Sequence, residues 1–330
     1  MSFYNIVASS KEATVVAEYT PEPYRAVDYQ SEAAMEADLL QRLQAQGYEY
    51  VSIRDEDALI ANLRKQLELL NHITFSDAEW QRFFNQNLAS ANEGIVEKTR
   101  KIQTDYVQVL KRDDGSSKNI SLIDKKAIHN NRLQVLNQYE EPEGTHKSRY
   151  DVTILVNGLP MVHIELKRRG VAIREAFNQI QRYQSESFWA RSGLFEYVQI
   201  FVISNGTHTR YYSNTTRDQH IREAADGARV KNKKTSHSFQ FTCYWADANN
   251  RVITDLVDFT QTFLSKHTLL NILTRYCVLT SQDLLLVMRP YQIAATERII
   301  NRILTSSNVK KTGTLDAGGY IGTRPARARP

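Results

Sequence analysis

Three charged residues, Asp151, Glu165 and Lys167, stand at the ends of two apolar runs where a purely structural strand pair would not need them. The runs flank Asn157-Gly158 and are rich in Val and Ile, a pattern that predicts a β-hairpin. Side chains alternate along a strand, so Glu165 and Lys167 share one face, while Val162, Ile164 and Leu166 share the other and can enter a core. The register decides whether Asp151 joins the charged face. A two-residue loop pairs Asp151 with Ile164; a three-residue loop, Asn157-Gly158-Leu159, pairs Val156 with Pro160 and sets Asp151 opposite Glu165. In that second register the two Cβ atoms lie about 5 Å apart. A shared carboxylate site thus requires a loop with an odd number of residues.

Two carboxylates so placed repel unless a proton or a metal sits between them. Their hard oxygens suit Mg²⁺, which keeps several of its waters. Such an ion can bind a non-bridging phosphate oxygen and acidify a coordinated water. Lys167 could orient that water or neutralise charge developing on the phosphorus. This chemistry is metal-assisted phosphodiester hydrolysis. Acyl transfer has no support, because the chain contains no G-x-S-x-G elbow and no cysteine with a partner at useful spacing. The bland alternative is a surface hairpin with a Glu165–Lys167 ion pair. Spacing alone leaves both readings open.

The elements that must position these residues are legible in outline. Residues 1–30 carry Pro21 and Pro23 and read as an extended lead-in. Ser31 is a candidate N-cap for a helix with Met35, Leu39, Leu40 and Leu43 at helical spacing, ending near Gly47. Glu32 and Glu36 share a face of that helix, where acidic residues in the first turn are favoured by the dipole alone. Further helices are predicted over about Glu56–Asn71 and Asp77–Leu88. Alternation then predicts strands at Tyr106–Val109, Ile120–Ile123 and Leu133–Leu136, the first two joined by an Asp113-Asp114-Gly115 turn. After the hairpin, Val171–Glu186 reads as a helix on which Gln179 and Tyr183, four apart, stack. Tyr197–Ile203 is the most apolar strand and suits a sheet centre, turning at Asn205-Gly206 into Thr209–Tyr212. Residues 214–238 are polar and basic and read as a loop or insertion, solvated or touching a DNA backbone. Helical spacing resumes over Asp255–Leu273 and Tyr291–Leu304. The order of these elements implies an α/β fold, one mixed central sheet flanked by helices.

Composition narrows the class. The 330 residues have ordinary hydrophobic (42%) and charged (24%) fractions for a globular chain. Of the net charge of +5, Arg324, Arg327 and Arg329 supply three, so bulk charge says little about nucleic acid. Cys243 and Cys277 lack His or Cys neighbours at ligand spacing, which argues against a zinc site or a disulfide framework. No secretory leader is recognisable at Met1–Ser10 and no apolar stretch approaches the ~20 residues of a membrane span, so a cytoplasmic protein without membrane partners is expected.

The trio gains context from what surrounds it. Asp151, then Glu165-Leu166-Lys167, then Gln179-x-x-x-Tyr183 resembles the PD-(D/E)xK nuclease superfamily, in particular its RecB-like branch. GIVEKTR (Gly94–Arg100), YDVTILVNGLPMVHIELKRRGVAIREAFNQIQRY, FVISNGT and LLVMRPYQIAATERI together resemble the R, or HsdR, subunit of type I restriction enzymes, of the IC-like group. This similarity runs from about Tyr29 to Ile321. It implies a restriction-endonuclease-like fold and Mg²⁺-dependent cleavage of double-stranded DNA, with methylase (M) and specificity (S) subunits as partners. It further implies that Asp151 and Glu165 bind metal, that Lys167 is catalytic, and that Gln179 and Tyr183 support the site or contact the DNA backbone. Glu32 or Glu36 would be the helix-borne acidic residue that joins the metal site. Tyr150 stands where many superfamily members have proline.

A second departure concerns ATP. In the family, R-P-Y-Q (here Arg289–Gln292) leads into a RecA-like motor whose Walker A loop follows a G-G-Y-I sequence. Gly318-Gly319-Tyr320-Ile321 is present, but no G-x-x-x-x-G-K-[ST] occurs in the chain, so ATP binding, helicase and translocase activity are expected only of a full-length protein. The expected division is an endonuclease domain over 1–260, a linker and the start of a helicase domain over 261–321, and a foreign-looking tail over 322–330. Two other readings compete: an assembly or DNA-docking module inactive alone, and an autonomous repair-type nuclease of the same fold.

Overall fold

In the computed structural model, residues 4–8, 16–19, 30–141, 148–188, 190–214, 239, 241–247, 249–310, 313, 314 and 318 are described. Most of the basic stretch 214–238 and the whole 322–330 tail lie outside them. Within the lead-in, β1 (Tyr4–Ala8) and β2 (Val16–Tyr19) form an antiparallel pair.

Helix α1 (Glu32–Ala45) begins where Ser31 accepts the amide of Ala34 and ends before Gly47, whose φ of 85° closes the turn. The short β3 (Glu49–Tyr50) leads to α2 (Glu56–Asn71), capped by Asp55, and α3 (Asp77–Phe83), which has a full capping box at Ser76 and Glu79. The helical path continues as a π segment over Phe84–Leu88, then α4 (Ile95–Gln103) follows. Strands β4 (Val107–Lys111) and β5 (Ser117–Ser121) pair only with each other, a ribbon beside the main sheet.

That sheet is built from β6 (Leu133–Glu141), β7 (Ser148–Val156), β8 (Leu159–Leu166), β9 (Ile200–Ser204) and β10 (Thr209–Ser213), with β3 at one edge. Its order is β10-β9-β8-β7-β6-β3. The β8–β9 and β3–β6 neighbours are parallel and the other pairs antiparallel, so the sheet is mixed as expected. Helix α5 (Ile173–Glu186) makes the crossover that a parallel β8–β9 pair requires. It buries Ala176, Phe177 and Ile180 on the sheet, and Phe177 meets Tyr212 of β10.

A two-stranded β11 (Trp245–Ala246) and β12 (Val252–Ile253) precede α6 (Leu256–Thr262), α7 (Lys266–Asn271), the hairpin β13 (Cys277–Leu279) with β14 (Leu285–Val287), and α8 (Pro290–Asn308). The single helix expected over Asp255–Leu273 is two helices. Ser265 sits in extended backbone, its hydroxyl bonded to the Thr262 carbonyl and to Thr268, which ends one helix and starts the next. Phe259 and Phe263 pack on Tyr211, the face of β10 opposite to Tyr212. Every residue of β8 is buried, so the charged strand is the centre of the sheet and not a surface hairpin.

Candidate active site

The turn between β7 and β8 corrects the expected loop parity. Asn157 and Gly158 both adopt left-handed backbone (φ 51° and 84°), Val156 faces Leu159, and the loop has two residues. Regular pairing from there would have turned Asp151 away from Glu165. Instead Leu155 faces Pro160 while Ile154 faces Val162, so Met161 is an extra residue and the ladder shifts by one. Pro160, a residue that regular central strands exclude, immediately precedes this bulge. The pairs then continue Thr153 with His163 and Val152 with Ile164, and the next step sets Asp151 beside Glu165. A bulge accomplishes what the three-residue loop was expected to do.

The carboxyls meet in a dry place. The Glu165 side chain is wholly buried, and its Oε1 takes the Lys167 ammonium at 3.0 Å. The same Lys167 Nζ donates to the Leu166 carbonyl at 3.0 Å, and the Leu166 amide donates to Asp151 Oδ2 at 2.9 Å. Burial is the main cause that pushes Asp151 up to about 7, with the charge of Glu165 adding to it and the Leu166 amide opposing. Glu165 is likewise pushed to about 7 by burial, against the pull of Lys167 and of a hydrogen bond with Asp151, and with a further push from Glu32.

Gln179 and Tyr183 come to the same place by holding backbone. Gln179 donates to the Tyr183 hydroxyl, which donates to the Arg149 carbonyl at 2.8 Å, two residues before Asp151. Burial and the two nearby carboxyls raise the Tyr183 phenol well above its ordinary value. Tyr150, in place of proline, is buried between Tyr139, Tyr183, Phe188 and Phe195 and donates to Ser187 at 2.7 Å.

The two helix-borne acids separate. Glu32 accepts the Arg168 amide at 3.2 Å and acts electrostatically on Glu165. Glu36 is held by the side-chain amides of Asn137 and Gln138 on β6. Gln138 (φ 55°) interrupts the β6–β7 ladder level with Asp151. Lys98 of the GIVEKTR segment is buried on Glu196 and the Gly193 carbonyl, so it fastens α4 to the 194–197 turn outside this site.

Sequence reasoning missed His163. It lies two residues before Glu165, so strand alternation alone places it on the charged face. Its side chain is wholly buried, its Nε2 is 3.7 Å from Glu165 Oε2, and burial pulls it down to about 4.

The donor set fits a hard divalent cation. Glu165 Oε2 is a buried oxygen without a hydrogen-bond partner, next to a second carboxyl that its charge destabilises. Among the described residues, no group of three or more His, Cys, Asp or Glu side chains is set to hold a metal. Two adjacent carboxyls of this kind offer the hard oxygens that suit Mg²⁺, an ion that keeps several of its waters.

Residues 29–220 match the family model described as "Type I restriction enzyme R protein N terminus". The chain is 50% identical over 311 residues to the type I restriction enzyme EcoprrI endonuclease subunit of Escherichia coli, covering 93% of this chain and 94% of that one. It is 41% identical over 286 residues to the SsaAORF53P endonuclease subunit of Staphylococcus saprophyticus, and 39% to the SauMW2ORF169P endonuclease subunit of Staphylococcus aureus. Those matches cover 85% of this chain but 28% of each staphylococcal relative.

Proposed function

The chain belongs to the family of type I restriction enzyme R protein N-termini, and from that membership we propose that it hydrolyses phosphodiester bonds of double-stranded DNA with Mg²⁺ held by Asp151 and Glu165. The observation that carries this reading is the buried carboxyl pair, both members pushed to about 7, with Glu165 Oε2 unpartnered and a lysine ammonium 3.0 Å from Oε1.

Bound Mg²⁺ supplies Lewis acidity toward a phosphate oxygen and a more acidic water. Asp151 and Glu165 would hold the ion as carboxylates, and its charge would offset the repulsion between them. Lys167 stands just beyond the last residue of β8, its side chain 14% exposed, so its ammonium reaches the mouth of the site where a phosphate would arrive. There it offsets negative charge that grows during attack. Gln179 and Tyr183 act on Arg149 and through it fix the start of β7; they are positioning residues. Glu32, bonded to the Arg168 amide, adds negative potential at the exit of β8 that would favour a cation there. Glu36 is engaged by Asn137 and Gln138 and stays out of the reaction.

In the whole enzyme, methylase and specificity subunits supply target recognition, and ATP-driven translocation belongs to a motor beyond residues 261–321. Residues 1–260 are the endonuclease domain in this reading. Lys167→Ala tests it: cleavage by the reconstituted complex should vanish while the melting temperature of the variant chain stays near wild type. Undiminished cutting would overturn the assignment.

A further inference from the structure

Behind the carboxyl pair lies a second layer that the proposed reaction has not yet used. His163 projects from β8 on the same face as Glu165, and four aromatic rings enclose it: Tyr150, Tyr183, Phe188 and Phe201. Their planes stand at 74–80° to the imidazole, with centroids 5.5–6.3 Å away. Its Nδ1 faces the Thr153 hydroxyl at 3.2 Å, across the β7–β8 ladder. Its Nε2 faces Glu165 Oε2 at 3.7 Å. Neither of those last two atoms has a hydrogen-bond partner, although both are buried. Two such atoms aimed at each other are costly unless they bond in some state of the protein.

We propose that His163 is a positioning residue for the ion site: Thr153 donates its hydroxyl to Nδ1, the imidazole proton sits on Nε2, and that N–H holds Glu165 Oε2 once the carboxyl is ionised. A neutral imidazole has one N–H, so the bond made by one nitrogen decides what the other can offer. At 3.7 Å the contact is not a hydrogen bond. The gap must narrow by roughly 0.7 Å to reach hydrogen-bond length. Each carboxylate oxygen has two lone pairs, so Oε2 could accept this N–H and still face the ion while Lys167 keeps Oε1. Residues that orient metal ligands in this manner typically govern affinity 10- to 100-fold.

The inference rests on the reading of Asp151 and Glu165 as ion ligands, so the test separates the two. Titration calorimetry of the full chain with Mg²⁺ alone compares wild type, Asp151→Asn, His163→Phe and His163→Gln, with a thermal melt of each. His163→Phe keeps the ring volume without the donor and should weaken binding by about 10- to 100-fold. His163→Gln restores an N–H in the same direction and should bind more tightly than His163→Phe. If Asp151→Asn abolishes binding while His163→Phe binds like wild type, the role of His163 is overturned and the ion site stands. If wild type takes up no Mg²⁺, the ion site falls and this inference with it. Nitrogen-15 histidine spectra of the ion-bound wild type give an independent reading should His163→Phe fail to fold. The proton should be found on Nε2 of His163; a proton on Nδ1 instead overturns the proposal.

Discussion

Asp151 and Glu165 bind protons more tightly in the folded chain than in the unfolded one, because burial raises both from ordinary carboxyl values to about 7. Folding then takes up protons between about pH 4 and 7, so this pair's contribution to stability is fully present below that window and is lost as the pH rises through it. Without divalent ions, the melting temperature of wild type relative to Asp151→Asn should fall between pH 5 and pH 8, and Mg²⁺ at pH 8 should restore it. A difference that does not change with pH would count against a buried, coupled pair. At this scale the sequence was informative about charge and alternation. It could show that Glu165 and Lys167 share a face, and that chemistry of two carboxylates and a lysine was available. It could not show that Glu32 meets the Arg168 amide while Glu36 is taken by Asn137 and Gln138, since both recur on one helical stripe. That choice is made by tertiary partners on other elements.

The β7–β8 hairpin is where local reading and structure diverge most usefully. Asn157-Gly158 announced a hairpin, and its two left-handed residues make the tight turn that such pairs favour. Taken alone, that turn puts Asp151 on the wrong side. The clue to the correction was Pro160, a residue that regular central strands exclude, and the bulge at Met161 follows it directly. Gly158 does more than turn the chain: a Cβ there would lie 2.6 Å from the Leu63 Cα of α2. Gly158→Ala should therefore destabilise the domain by more than about 2 kcal/mol, from left-handed strain plus a backbone clash. Urea unfolding measures this directly, and a loss of only a few tenths would mean α2 can move aside. Helix limits were legible where caps exist, as at Ser31 and Asp55. They were misread over 255–273, where Ser265 breaks the run.

For the molecule as a whole, the fold class and the main helices and strands were legible, but α4, β3, the small pairs β1–β2, β11–β12 and β13–β14, and the strand order were not. β8 touches β7 through a two-residue turn and β9 only after a crossover, and β3 reaches β6 from more than eighty residues away. Such pairings depend on long-range packing that no local pattern encodes. The chain contains no phosphate-binding G-x-x-x-x-G-K-[ST] loop, so it should hydrolyse no ATP. Incubated alone with plasmid and Mg²⁺ it should cut little or nothing, and addition of the other subunits with a motor-bearing chain should be required. Strong cleavage of branched or single-stranded DNA by the chain alone would favour an autonomous repair-type nuclease instead.

The central position of β8 also sets the order in which the protein comes apart. Its amides lie between an antiparallel and a parallel neighbour and are buried on both faces. Isotope exchange at Val162 to Glu165 should therefore proceed only through global unfolding, later than at the two-stranded β13–β14 hairpin. Most reactive centres sit on loops that fray before the rest. In the proposed reading the reacting groups sit on and beside the strand expected to open last, so on slow heating competence should persist undiminished until the cooperative transition and then disappear with it.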